Sequence, residues 1–519
     1  MSITTPDEAA PAPRSASSTR RFIINVASNL LMLVLNVVVG LWLTRYLVEQ
    51  LGVALYGLVA LATSVTLYMT VISTSLSNGV GRYLTIELKQ GNVTAANRTF
   101  NTALWGSIGL CLVMLPGVAL LAYAAPQIFS VPAGNEAGAR WLFAAVMLGY
   151  LISIVRGIFA VSSFAHSRFD LQNLMLATNV IVRVLLLIAL FTVVAPSLVS
   201  VGIATLLATV ASFGVAMATW RRLTPELSIT PQAFERSHLR TISGTSSWFF
   251  VNQIGTLLFL NIDLVVVNIF LGPEIAGRYG VVLQWPLLLR TLATTVSSVL
   301  TPIILTQYAS NDLEAISRTT QQAVKLMGLA LALPIGFIVG LATPILTIWL
   351  GADFADLAPL LMIMVAPLTI NIAIQPLFST QVALNRVRWP GIVTLLMGIG
   401  NVFIAIWWVE WLPNGMGVAL AGIVLLSLKN IGFIPIYSAY IQNQPWYTFH
   451  RVLIPGVLAT LGVALISYTM SRLVVVDTWL ILIAIGMGLA GIYATVAYHF
   501  ALDPAERTLI QQVIRRRTS

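Results

Sequence analysis

Charge is scarce in this sequence. Only 9% of its 519 residues are Asp, Glu, Lys or Arg, against roughly 25% in an ordinary soluble domain. That scarcity excludes a solvated globular exterior, and hydrophobic residues at 58% stand in its place. Cysteine is nearly absent. The single Cys111 lies in an apolar run, so neither an internal disulfide nor a cysteine-built metal centre can form. It reads as a small packing residue. The four histidines, His166, His238, His450 and His499, are scattered, and none has a second ligand at metal spacing. No metal and no other cofactor is expected. There is no glycine-rich phosphate loop ending in Lys-Ser or Lys-Thr, which excludes an ATP-driven pump.

What the chain has in abundance is long apolar runs. A membrane-spanning helix needs about 20 mostly apolar residues. Such runs follow one another from Phe22–Leu43, Leu58–Val80 and Ala103–Ala125 to Val452–Val474 and Trp479–Leu502. Their number, about fourteen, predicts an all-α polytopic membrane protein. The first 21 residues, rich in Pro, Ala, Ser and Thr, read as a disordered cytoplasmic tail. The run after them is too long for a signal-peptide core and has no evident small-residue cleavage site, so it is expected to stay as the first helix.

An even number of spans puts both termini on one side. Of the 28 Lys and Arg, twenty fall on that side, four (Arg45, Arg140, Arg278, Arg472) on the other, and four inside helices. Short cytoplasmic loops collect Lys and Arg. Both termini are therefore expected in the cytoplasm, and the protein in a bacterial inner (plasma) membrane. The net charge of +10 is a topology signal, and no nucleic-acid partner is expected. Arg515, Arg516 and Arg517 end the chain as a basic tail.

The chain also repeats itself, with a period near 220 residues. Arg98-Thr-Phe-Asn-Thr-Ala-Leu matches Arg318-Thr-Thr-Gln-Gln-Ala-Val, and each opens an apolar helix with a mid-span proline, Pro116 or Pro334. Leu51-Gly52 with Tyr56-Gly57 matches Leu271-Gly272 with Tyr279-Gly280. Each copy holds six spans, an even number, so the copies insert in the same orientation. The expected organisation is an N-lobe at 22–222, a cytoplasmic linker at 223–242, a C-lobe at 243–440, two added helices at 452–502 and a basic cytoplasmic tail at 503–519. Transporters built on parallel repeats hold substrate between the two halves near the bilayer midplane.

These residues resemble the polysaccharide-exporter branch of the multidrug/oligosaccharidyl-lipid/polysaccharide (MOP) transporter superfamily. The resemblance rests on Leu51-Gly52 and Tyr56-Gly57 after the first helix, on Asn78-Gly79-Val80-Gly81-Arg82-Tyr83 ending the second, and on Asp263 ahead of Leu271-Gly272. It extends over residues 20 to 510 or so. It implies two parallel six-helix lobes of the kind seen in multidrug (MATE-like) exporters, plus two C-terminal helices. It also implies an O-antigen-flippase-like activity: moving an undecaprenyl-diphosphate-linked sugar to the outer leaflet without covalent chemistry. A lipid-linked oligosaccharide, membrane lipid and other polysaccharide-assembly proteins are the implied partners.

Charges at mid-bilayer depth are costly and usually face a cavity or a partner. Four bases and one acid lie within helices: Arg156, Arg183, Arg290, Lys429 and Asp263. One reading makes the bases a cationic cavity for a diphosphate, since the guanidinium fork suits phosphate. The other makes them structural: an Arg290–Asp263 ion pair on adjacent helices, with Arg156 and Lys429 reaching toward an interface. Arg183 is too central to do so. Asp263 is equally a candidate for a coupling ion. Asn25, Asn29 and Asn36 share one helix face, and Asn252, Gln253 and Asn261 are their counterparts on helix seven. They are candidates for sugar hydroxyls or for interhelical hydrogen bonds.

Three other functions compete. A drug or cation antiporter of the same superfamily predicts a cavity richer in acids than in bases, opposite to the count here. A membrane enzyme acting on sugars needs catalytic carboxylates outside the bilayer, and the longest outer loop, Pro126 to Arg140, carries only Glu136. A lipid II flippase differs from the leading reading only in its substrate.

Overall fold

The computed structural model describes residues 16–235, 247–298, 300–310, 312–504 and 507. The chain before Ala16, the later part of the expected linker with His238, and the Arg515–Arg517 tail lie outside the described residues. So do the side chains of Asn78, Arg82 and Trp248.

Every described element is a helix. Six long ones come first: α1 (Ala16–Leu51), α2 (Val53–Lys89), α3 (Val93–Ile128), α4 (Glu136–Ala165), α5 (Phe169–Val193) and α6 (Leu198–Leu223). There follow α7 (Ser247–Leu260), α8 (Ile262–Ser298), α9 (Leu300–Ala309), α10 (Leu313–Gly340), α11 (Ala342–Leu350), α12 (Ala358–Val365), α13 (Leu368–Asn371) and α14 (Gln375–Ala383). The last five are α15 (Arg388–Trp408), α16 (Met416–Ser427), α17 (Ile434–Ile441), α18 (Thr448–Leu473) and α19 (Trp479–Val496).

Twelve described stretches are long and apolar enough to cross a membrane, against the expectation of about fourteen. One of them, Val251–Thr294, is 44 residues long, about twice the roughly 20 that one crossing needs. It bends at Gly272, whose φ of +86° only glycine adopts without strain, and Pro273 follows. The expected Leu58–Val80 span lies within α2, a helix of 37 residues.

Other expected spans are present but interrupted. Between Leu357 and Leu384 the chain is broken into α12, α13 and α14, with Pro367 before the second and Pro376 in the first turn of the third. Proline has no N–H for the helical ladder, so each one marks a break. The expected twelfth span contains a π-helical turn, Leu428–Phe433, between α16 and α17. Pro435 follows it and cannot donate to the Ile431 carbonyl. His450 on α18 supplies the missing hydrogen bond, Nε2 to Ile431 O at 2.7 Å.

The chain divides into two compact units. The first comprises Met1–Gly40, Ile72–Leu120 and Ala144–Thr245. Its core is aromatic at one end: Phe100 stacks on Trp220 at 5.3 Å, and Phe159 meets both rings edge-on. Buried Asn101 binds the segment after α6 to α3. Its amide donates to Ser228 O at 2.8 Å and its carbonyl accepts from Thr230 N at 2.7 Å. One turn earlier, Asn97 Oδ1 accepts from Ser228 N at 2.9 Å.

The second unit comprises Leu41–Val71, Leu121–Phe143 and Ser246–Ser519. Here α18 lies directly against α10. A Cβ on Gly336 would stand 2.8 Å from Thr460 O, and one on Gly340 2.5 Å from Ala464 O. Small residues spaced by four along α10 let the backbones approach, as in other membrane helix pairs. Tyr493 on α19 donates to Leu329 O of α10 at 2.7 Å. The two added helices are thus packed into this unit through their own backbone and hydroxyl contacts.

The sequence repeat reappears in individual hydrogen bonds. Thr99 Oγ1 donates to Glu87 at 3.0 Å, and Gln307 donates to Thr319 Oγ1 at 2.8 Å, at positions 220 residues apart in both members. Gly52 has φ +81°, matching the +86° of Gly272.

Candidate functional site

Each helical charge has a definable setting. Arg156 on α4 lines a cavity of ≈ 620 Å³ in the first unit. Gly81 and Thr85 of α2, and Gln172 and Met175 of α5, form the opposite walls. Among the described residues Arg156 has no acidic partner. Arg183 lies on α5 in the same unit, one turn beyond Asn179, which donates to Thr209 at 3.2 Å on α6. The Arg183 Nε is fully buried and has no acceptor among the described residues.

Asn25 and Asn29, also in the first unit, tie α1 to the α4–α5 turn and to α5. Asn25 donates to Ser167 O at 2.9 Å, and Asn29 Oδ1 accepts from Asn173 at 2.6 Å. These are interhelical hydrogen bonds, one of the two roles open to them. Asn36 is half-buried farther along α1.

The second unit brings three of the singled-out charges together. Asp263, in the first turn of α8, and Arg290, farther along the same helix past the Gly272 bend, line one cavity of ≈ 50 Å³ with Phe259, Tyr279 and Gly422. The expected direct ion pair is not among the described salt bridges. Asp263 Oδ2 instead accepts from the Tyr279 hydroxyl at 3.0 Å, while Asp263 Oδ1 is buried without a hydrogen bond. Asn401 of α15 neighbours the carboxylate: a Cβ on Gly422 would lie 3.5 Å from both Asn401 Oδ1 and Asp263 Oδ2. Its amide nitrogen donates to Leu258 O at 3.2 Å, and Asn401 Oδ1 is buried with no hydrogen bond among the described residues.

Lys429 projects from the π-helical turn. Its Nζ lies 5.4 Å from the centre of the Phe259 ring, the ring that also lines the Arg290 cavity. Its one hydrogen bond is a long one, 3.5 Å to Thr394 Oγ1. Arg290 and Lys429 are thus related through one ring, that of Phe259. Beside the turn, Asn430 donates to Asn371 at 3.1 Å, where α13 begins and ends within four residues. Asn252 is half-buried on α7, and its carbonyl accepts from Thr256 at 2.8 Å.

In the first copy Tyr56, of the Tyr-Gly pair, lies 3.5 Å from the hydroxyl of Thr44 on the preceding helix. In the second, Tyr279 bonds back to Asp263. Tyr279, Asn401 and Phe259 were not legible as site residues. The only sequence signal is an isolated Asn at 401 in an apolar run, and a Tyr whose partner lies sixteen residues back.

Long apolar helices in an internally repeated chain, with charged side chains inside them, define a multi-pass membrane protein. The chain belongs to the polysaccharide biosynthesis protein family, whose model matches residues 20–307. The membrane protein EpsK of Bacillus subtilis (strain 168) is 33% identical over 501 residues, covering 96% of this chain and 98% of EpsK. Among solved structures, the lipid II flippase MurJ in an inward closed conformation gives a TM-score of 0.67 at 14% identity, over 92% of this chain and 99% of that one. An inward-facing multidrug resistance MATE transporter of the MOP superfamily gives 0.56 at 15% identity, over 84% of this chain and 98% of that one. At these identities the structural likeness is one of fold. It agrees with the all-helical architecture expected from the sequence.

Proposed function

We propose that the protein flips an undecaprenyl-diphosphate-linked oligosaccharide from the cytoplasmic to the outer leaflet of a bacterial inner membrane. The product feeds surface polysaccharide assembly, as O-antigen, capsule or exopolysaccharide. Both termini face the cytoplasm. The observation that carries this reading is the pair Arg290 and Lys429, two cations around Phe259 beside a single carboxylate, Asp263, with no salt bridge among the described residues. Buried charge left unbalanced is expensive, and a diphosphate supplies further negative charge. Within the first unit, Arg183, with a buried Nε that has no acceptor among the described residues, and Arg156, in a cavity of its own, are further candidate cations.

Asp263 is assigned to a coupling cation. Two buried oxygens that only accept, Asp263 Oδ1 and Asn401 Oδ1, lack donors, and a bound proton or metal cation would satisfy them.

Arg183→Ala and Arg290→Ala are expected to stop flipping of an undecaprenyl-diphosphate-linked oligosaccharide in reconstituted vesicles while the protein still inserts. Normal flipping by both variants removes the cationic mechanism. Lipid II carries the same diphosphate, so the assay is run with both lipids. Preference for lipid II would transfer the mechanism to that substrate.

A further inference from the structure

The internal repeat builds two equivalent docks, one near the start of α3 and one near the start of α10. Among the described residues only the first is filled. There, within the first unit, the segment after α6 lies along α3. Asn97 Oδ1 accepts from Ser228 N at 2.9 Å, and Asn101 bonds both Ser228 O at 2.8 Å and Thr230 N at 2.7 Å. Thr102 Oγ1 accepts from Glu235 N at 3.2 Å, and Arg98 pairs with the Glu235 carboxylate at 3.2 Å. Within the second unit the residues 220 positions on are Ser317, Arg318, Gln321 and Gln322. They line a cavity of ≈ 500 Å³ together with Lys325 and Gln444. Gln321 donates to Ser317 Oγ at 3.0 Å, and Arg318 to the exposed Glu314 at 3.1 Å, all on one helix. The two docks differ because the chain changes path. Thr224-Pro225 recurs 220 residues on as Gln444-Pro445. Beyond Pro225 the chain runs into its dock, whereas beyond Pro445 it turns into α18 at Thr448.

We infer that the second dock takes residues 2–8 of this chain, an acidic N-terminal segment that lies outside the described residues. It reads Ser2-Ile3-Thr4-Thr5-Pro6-Asp7-Glu8, against Ser228-Ile229-Thr230-Pro231-Gln232-Ala233-Phe234-Glu235 in the first dock. Both open with Ser-Ile-Thr, continue through a proline and end on a carboxylate. A residue before proline is held extended, as Thr230 is where it docks, and Thr5 carries the same restriction. Charge selects the occupant. Arg318 stands where Arg98 meets Glu235, and Lys325, bonded to Asp503 at 2.9 Å, lines the same cavity. Asp7 and Glu8 bring two carboxylates to these cations. Residues 508–519, at the other terminus, bring three arginines and no acid, so they do not fit. A segment too polar to bury a core of its own can still order against a formed surface. The inference rests on the topology proposed above, which puts the N-terminus and the start of α10 on one face of the membrane. It is independent of the substrate.

The test is photo-crosslinking of the full chain in membranes, with p-benzoylphenylalanine in place of Ile3. Photolysis is expected to join it to a peptide within residues 314–325 of the same chain, at the mobility of a monomer. Arg318→Glu is expected to lose the adduct, and adding Asp7→Lys and Glu8→Lys to restore it. The Arg318 side chain is 70% exposed, so the fold is expected to persist, with an unchanged melting temperature as the check. Asp7→Lys with Glu8→Lys alone is expected to lose the adduct too, without altering any described residue. Adducts elsewhere, adducts only between two chains, or a yield that neither charge reversal moves overturn the inference. An impermeant maleimide on oriented vesicles, in a Cys111→Ala background with Ser2→Cys or Glu314→Cys, separates the failures. Labelling on opposite faces overturns the topology beneath the inference. Labelling on one shared face without the adduct overturns the docking alone.

Discussion

The charge pair around Phe259 allows a quantitative test. Lys429→Met keeps most of the side-chain volume and the packing on Phe259 but deletes the ammonium. Little protein bonding is lost, because the ammonium has only the 3.5 Å contact to Thr394 and the Phe259 ring at 5.4 Å. A hydrogen bond from a charged group contributes roughly 1.5–3 kcal/mol, which is about ten- to a hundredfold in affinity. Undecaprenyl diphosphate is therefore expected to bind Lys429→Met in nanodiscs ten- to a hundredfold more weakly, with the melting temperature unchanged or raised. Arg290→Gln is expected to lose comparable affinity and also stability, since it removes a nearby cation from the Asp263 carboxylate. Adding Asp263→Asn to Arg290→Gln is expected to recover the stability and not the affinity. Because both cations adjoin one ring, their combined loss is expected to fall short of the sum. Parental affinity in a stable Lys429→Met protein would refute the cationic cavity.

Three further outcomes follow from individual contacts. Tyr279→Phe deletes the hydroxyl that donates to Asp263 at 3.0 Å; leaving a buried acceptor unsatisfied costs about 1–3 kcal/mol. A lower melting temperature in detergent is expected, with rescue by adding Asp263→Asn. Asn101→Ala removes both hydrogen bonds to the 228–230 segment. Faster protease cleavage after α6 is expected, at an amount of protein that still inserts. Gly336→Leu forces a branched side chain toward Val463 and Thr460 O. Overpacking of about 1–3 kcal/mol is expected to loosen α18 from α10, read as increased thiol labelling of Ser467→Cys in a Cys111→Ala background.

The architecture was legible in the sequence because a bilayer imposes length and polarity on every span. Long apolar runs, a basic bias on one side and the 220-residue echo needed no tertiary information. They led to an all-helical, internally repeated membrane protein. Interruptions were partly legible as well: Pro367, Pro376 and Pro435 mark breaks by chemistry alone. Length and hydropathy do not say where the 44-residue stretch Val251–Thr294 is interrupted; the backbone bend at Gly272 does.

The site was legible as a set of charges and not as a set of partners. A lone Asp or Arg in an apolar run is conspicuous, so Asp263, Arg183, Arg290 and Lys429 all stood out. Helical spacing does not reveal that a bend at Gly272 and a π-turn at 428–433 set which side chains converge. Asp263 and Arg290 thus share a cavity without bonding, Tyr279 takes the carboxylate, and Lys429 comes to the ring of Phe259. The motif glycines divide the same way. The sequence by itself determined that two Leu-Gly and Tyr-Gly pairs recur. That Gly57 and Gly277 touch each other was decided only by the tertiary structure, because a contact more than two hundred residues apart depends on how separate helices pack.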